Sequence, residues 1–227
     1  MRTKKRLFII MAVICMLCLS AGMPQAAEKT DTSDPATVDD VIEKLNEHYG
    51  KKNFTADFRQ KSTLKAMDIT DTAEGRAWFK HPGKMRWQYK EPETYLIVTD
   101  GQTLWIHRPA DRQVVVGDAA GHFGGGRGAS FLADFTRITD VFKATFADSD
   151  DQSWRIKLIP RRQQGDLEQI HMEVNRKSLE IEQVTTENIY GDITRIVFED
   201  VEFHPEMPDR LFDFEIPAGA DVIQMEN

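Results

Sequence analysis

From Asn53 onward, apolar and polar positions alternate with a period of two. Phe54, Ala56 and Phe58 are separated by Thr55 and Asp57, and Met85, Trp87 and Tyr89 by Arg86 and Gln88. A strand with one buried face needs this alternation, because successive side chains point to opposite faces. Turn residues punctuate the pattern at Pro82-Gly83, Glu91-Pro92, Asp100-Gly101 and Pro109-Ala110-Asp111. Between them stand the short runs Tyr95–Thr99, Thr103–His107 and Gln113–Val116. Such spacing predicts an antiparallel meander and not alternating βαβ units.

The period is helical before and after this stretch. Val38, Val41, Ile42, Leu45 and Tyr49 recur as on one face of a helix, with Asp34 or Thr37 to cap its start and Gly50 to close it. A Gly-rich segment from Gly117 to Ser130 interrupts the meander, and two helical pieces are expected after it, Ser130–Phe135 and Ile138–Phe146. Strands resume at Ser153–Ile159, Glu168–Val174, Leu179–Thr186, Ile193–Phe203 and Leu211–Ile216. The total is about eleven strands, more than the roughly eight whose side chains fill a closed barrel. The expected fold is therefore mainly β: an incomplete, open antiparallel barrel with a lid of short helices over its mouth.

The first residues read as an export signal. Arg2, Lys4, Lys5 and Arg6 precede the apolar run Leu7 to Leu19, and small residues follow at Ala21, Gly22, Ala26 and Ala27. The run is shorter than the about 20 residues that span a membrane. Residues 1–27 are expected to be removed, leaving one domain over residues 28–227 in the periplasm. Both cysteines, Cys15 and Cys18, lie in the apolar run and are preceded by Ile14 and Leu17, not the small residue a lipid-attachment site needs. The remaining chain has no cysteine, which excludes disulfides and thiolate chemistry there. Four of the 29 basic residues leave with the signal, so 25 face 37 acidic ones, a net charge of −12. That balance argues against nucleic acid and against anionic lipid headgroups as partners.

Candidate chemistry is sparse. No two of His48, His81, His107, His122, His171 and His204 stand at the helical i, i+4 spacing of a zinc site. The loop Gly121-His122-Phe123-Gly124-Gly125-Gly126-Arg127-Gly128 lacks the Lys-Ser/Thr ending of a phosphate loop and reads as a hinge. Asp148, Asp150 and Asp151 share one polar run, where a solvated turn is the ordinary explanation of clustered carboxylates. No catalytic residue, metal site or cofactor is expected.

Three stretches carry a family resemblance. Gly75-Arg76-Ala77-Trp78-Phe79-Lys80-His81-Pro82-Gly83-Lys84-Met85-Arg86-Trp87-Gln88-Tyr89 resembles the Gly-x-Leu-Trp-x-Lys-Arg-Pro-Gly-x-x-Arg-Trp-x-Tyr motif of the outer-membrane lipoprotein carrier (LolA) family. Thr99-Asp100-Gly101-Gln102-Thr103-Leu104-Trp105 resembles its Ser-Asp-Gly-Lys-Thr-Leu-Trp segment. Phe212-Asp213-Phe214-Glu215-Ile216-Pro217-Ala218-Gly219-Ala220-Asp221-Val222 resembles its Phe-x-Phe-x-x-Pro-x-Gly-x-Asp-Val ending.

The resemblance implies a monomeric, non-enzymatic carrier with a lidded apolar cavity. Such a carrier takes acylated lipoproteins from an inner-membrane ABC transporter and passes them to an outer-membrane acceptor. A relative on the same scaffold would instead sense lipid or lipoprotein to regulate an envelope response. Phe54, Phe58, Phe79, Met85, Trp87, Tyr89, Leu104 and Ile106 are the candidate cavity walls, and Ile42, Leu45, Phe131, Leu132 and Phe135 the candidate underside of the lid. Alternation alone predicts a packed core equally well. Where the family commonly has Arg before the Pro-Gly turn, this chain has His81, the candidate lid latch, expected to reach lid backbone carbonyls. Arg86 is expected to face solvent.

Overall fold

The computed structural model describes residues 37–123, 127–163 and 165–225. The expected signal segment, the polar stretch after it and Gly124–Gly126 of the expected hinge lie outside the described residues. The unit Pro35–Asn227 is compact by itself.

Its first element is helix α1 (Val38–Tyr49), which starts where Thr37 and Asp40 cap one another. The Asp40 N–H donates to Thr37 Oγ1 at 3.2 Å, and the Thr37 N–H donates to Asp40 Oδ2 at 3.1 Å. This reciprocal cap satisfies two otherwise orphaned donors and is worth about 1 kcal/mol. Val41, Ile42, Leu45 and Tyr49 form the buried stripe. Gly50 closes the helix for lack of space: a β-carbon there would sit 2.4 Å from the Asn46 carbonyl oxygen.

Six strands follow as a meander: β1 (Asn53–Leu64), β2 (Ile69–Lys80), β3 (Lys84–Glu91), β4 (Tyr95–Thr99), β5 (Thr103–Arg108) and β6 (Gln113–Asp118). Helix α2 (Ala119–Phe123), a 3-10 segment (Arg127–Arg137) and α3 (Ile138–Val141) then cross the mouth. Five strands complete the far wall: β7 (Phe142–Phe146), β8 (Ser153–Pro160), β9 (Leu167–Asn175), β10 (Ile181–Asn188) and β11 (Ile193–His204). The last strand is β12 (Asp221–Gln224). They form one twelve-stranded sheet in the order β12-β6-β5-β4-β3-β2-β1-β11-β10-β9-β8-β7, whose two ends do not pair. The barrel is open.

Three expectations need correcting. The helix expected over Ile138–Phe146 stops at Val141, and Phe142–Phe146 pairs with β8 as β7. Leu211–Ile216 is not a strand. It belongs to a C-terminal strap that crosses the outer face of the meander, where Phe212 is fully buried and Phe214 packs on Trp105 and His107. The true last strand, β12, runs parallel to β6, unlike the antiparallel pairs elsewhere. Arg86 points outward but does not reach solvent freely: its Nη1 donates to the Leu211 carbonyl at 3.2 Å under the strap. Lys80 and Lys84 hold Asp209 of the strap at 2.9 and 2.7 Å.

Candidate functional site

The cross-strand register puts the expected wall residues on one inner face. Phe54 pairs with Phe79, Phe79 with Met85, Ala77 with Trp87, and Gly75 with Tyr89. Gly75 is required there, since a β-carbon would lie 2.0 Å from the Gln88 carbonyl oxygen and 3.0 Å from the Phe58 ring. Phe54, Phe58, Phe79, Met85, Trp87 and Tyr89 are buried in one core with the lid residues Ile42, Leu45, Phe131, Leu132 and Phe135. Phe54 stacks on Phe79 at 4.6 Å, and Trp87 meets Phe58 edge-on at 4.9 Å. The lid side chains pack between the walls in that core.

The inner face continues past that core and is less covered. Ile97 pairs with Ile106, Ile106 with Val115, and Val115 with Ile223, giving one apolar row across β4, β5, β6 and β12. The first three are half-buried and Ile223 is 42% exposed. Leu104, on the same face, is fully buried. Sequence reasoning included Leu104 and Ile106 but missed Ile97, Val115 and Ile223. Ile97 and Val115 lie in the runs Leu96–Val98 and Val114–Val116, apolar at every position, where alternation does not say which face is inner, and Ile223 joins the row through a non-local pairing.

Beside the lid, a cleft of about 480 Å³ opens between the lid segments and the Pro82-Gly83 and Asp100-Gly101 turns. Its apolar lining includes Met85, Phe131, Ile138, Val141 and Phe142. The volume falls in the range of roughly 300–1,000 Å³ usual for small-ligand sites. At the opposite end the interior is polar. Tyr89 stacks on Tyr95 at 3.9 Å and donates to Gln60 Oε1 at 2.9 Å. Burial pushes both phenols above their ordinary range, so they stay neutral donors near pH 7. The interior is thus apolar at the lid and closed by a polar floor.

Polar contacts also hold the lid. The Gly83 N–H donates to the Ala133 carbonyl at 2.9 Å. Tyr49 Oη accepts the Ile181 N–H at 2.9 Å, tying α1 to β10, and burial drives this phenol far up. His81 Nδ1 lies 3.5 Å from Asp134 Oδ1, so the residue before the Pro-Gly turn faces a lid carboxylate and not a lid carbonyl. Asp150, one of the clustered carboxylates, accepts the Gln152 and Ser153 N–H groups and serves the turn into β8. Among the described residues no three His, Cys, Asp or Glu side chains are grouped to hold a metal ion.

The family model described as outer membrane lipoprotein carrier protein LolA matches residues 50–215. The chain belongs to the LolA family. An outer-membrane lipoprotein carrier protein of Chromobacterium violaceum is 34% identical over 175 residues, 77% of this chain and 82% of that protein. One from Alkalilimnicola ehrlichii is 30% identical over 216 residues, 94% of each. A solved structure of an uncharacterized conserved protein from Thermus thermophilus shares the fold. Its TM-score is 0.51 at 9% identity, covering 82% of this chain and 98% of that one.

The LolA motifs have a physical reading here. Pro82-Gly83 and Asp100-Gly101 form neighbouring turns at the lid, with Gly83 and Gly101 both at positive φ. A β-carbon on Gly101 would already touch the Pro82 carbonyl oxygen at 3.5 Å. The Phe-x-Phe ending supplies the strap that buries the outer face behind β3 to β6.

Proposed function

We propose that this chain carries lipoproteins across the periplasm by sheltering their acyl chains in its interior, without covalent chemistry. It accepts them from an inner-membrane ABC transporter and yields them to an acceptor at the outer membrane. The observation that carries this reading is the inner apolar row Ile97–Ile106–Val115–Ile223. It is continuous, through Ile97, with the core that the lid covers, and its half-buried and exposed members leave part of an inner apolar face in contact with water.

The energetics fit reversible loading. Each acyl methylene withdrawn from a membrane costs about 0.8 kcal/mol, so cargo needs an apolar shelter of comparable quality. Opening the empty lid exposes Ile42, Leu45, Phe131, Leu132 and Phe135. At about 1.5–3 kcal/mol each that is roughly 7–15 kcal/mol, an upper bound. The empty carrier therefore stays shut. Acyl chains that take the place of the lid side chains against Phe54, Phe79 and Trp87 offset that cost, so loading and opening occur together. The relatives carry the name of lipoprotein carriers, which supports the same role here.

The test is uptake. Folded protein should bind a fluorescent apolar probe that lipid displaces, and should release bound lipoprotein to acceptor membranes. A sensor on the same scaffold would retain its lipoprotein. Folded protein that takes up neither probe nor lipid would refute the proposal.

A further inference from the structure

The strands β1, β2 and β11 are each 12 residues long. At about 3.3 Å per residue they run roughly 36 Å from the lid to the opposite end of the barrel. There the tips of two hairpins meet. The β1–β2 tip presents Met67 and Ile69, and the β10–β11 tip presents Ile189, Tyr190 and Ile193, all exposed. These are half of the ten large hydrophobic residues exposed on the described chain, gathered at one place; Met67 is 62% and Tyr190 68% exposed.

The two tips are built as one rigid unit. The Lys65 N–H donates to Asp192 Oδ1 at 2.9 Å across the gap between the hairpins. Asn188 accepts the Tyr190 and Asp192 N–H groups at 3.0 and 2.9 Å, and its own Nδ2 donates to Asp192 Oδ2. The Lys65 side chain lies over Gly191, where a β-carbon would fall 2.8 Å from its Cδ. Gly191, at φ +78°, is required by its turn. The backbone that carries the apolar side chains is thus ordered before binding, which lowers the ordering cost of docking.

We infer that these paired tips dock the protein reversibly on a zwitterionic lipid bilayer, at the end of the barrel away from the lid. The patch is a pair of convex points and not a groove, which suits a fluid that deforms around it. Five side chains are far short of the roughly 20–30 residues a side that a stable protein interface uses. An aromatic ring with a polar end beside aliphatic neighbours is the composition favoured at a membrane–water boundary. The charges of the tip itself, Lys65 against Asp68 and Asp192, give no attraction to an anionic surface, and the net −12 of residues 28–227 opposes one. Docking in this way leaves the lid and its cleft in water, so membrane contact and cargo exchange use opposite ends of the molecule.

The experiment is flotation of the protein starting at Glu28 with phosphatidylcholine vesicles, because Leu7 to Leu19 would partition into lipid unaided. The wild type should float. Met67→Asp combined with Tyr190→Asp, both at exposed turn positions, should lower the vesicle partition coefficient at least tenfold while leaving apolar-probe uptake unchanged. Three results overturn the inference. They are a wild type that does not float, flotation that the double variant does not reduce, and sedimentation showing a wild-type dimer that the variant makes monomeric.

Discussion

Tyr49→Phe removes a single hydroxyl from the lid and leaves its ring in place. That ring touches Phe54, Phe135 and Phe203, with centroids 5.2, 5.9 and 5.5 Å away, so apolar packing is preserved. What is lost is the acceptor for the Ile181 N–H, a donor on a residue only 2% exposed. An unsatisfied buried donor costs about 1–3 kcal/mol. Any opening that lifts α1 from β10 would already have broken this bond, so the whole cost appears in the opening equilibrium. At 1.4 kcal/mol per factor of ten, amide exchange in Val38–Tyr49 should rise by about 5- to 140-fold. Apolar-probe uptake should accelerate in parallel. Hydrogen exchange resolved by segment, with β8 and β9 as internal references, reads this directly. Unchanged exchange in α1, or an equal rise in all strands, would refute the view that this bond fastens the lid. The pH dependence has a definite sign. A phenol raised in the folded state contributes fully below the usual value near pH 10, and its contribution is lost as pH climbs above that. Tyr49→Phe should therefore flatten part of the alkaline fall in stability.

Other perturbations separate packing from binding. Trp87 and Phe58 are 3% and 2% exposed, so Trp87→Asp or Phe58→Asp should unfold the protein before binding can be read, whereas half-buried Ile106→Asp should leave circular dichroism intact and weaken probe affinity at least tenfold. His81→Arg places a permanent charge before Asp134 and should slow exchange in the 127–137 segment about 2- to 5-fold, the scale of a partly exposed ion pair; Asp134→Asn should cancel that gain. Lys84 and Lys80 lower the Asp209 carboxyl to about 2, so the strap contact is complete above the ordinary carboxylate value of 3.8 and is lost as pH falls through about 2. Asp209→Asn should loosen residues 205–214 by hydrogen exchange at neutral pH.

The inner wall was legible because, along Phe54–Phe58 and Met85–Tyr89, the large apolar side chains all lie on the inner face, so their alternation maps directly onto the core. The same signal misled at Leu211–Ile216. Phe212 and Phe214 alternate because they pack on the outer face of the meander, and packing produces alternation whether or not a strand partner exists. Ile138–Phe146 read as helical throughout because its apolar residues suit either period. The β7–β8 pairing, which decides between them, is not local. Three of the four residues of the apolar row were hidden, the last of them for a related reason. Ile223 joins Val115 only through a parallel pairing between residues more than a hundred positions apart.

The central claim is that acyl chains lie along the inner row beneath the lid. Its most direct test places a photo-crosslinking side chain at Ile106 in the protein starting at Glu28. That protein is mixed with inner-membrane vesicles, ATP and lipoprotein labelled in its acyl chains. The expected result is soluble lipoprotein complexes, with the label crosslinked at position 106 and not to a control probe at the outward-facing Arg195. Soluble complexes whose acyl label never reaches position 106, or no ATP-dependent release at all, would contradict it.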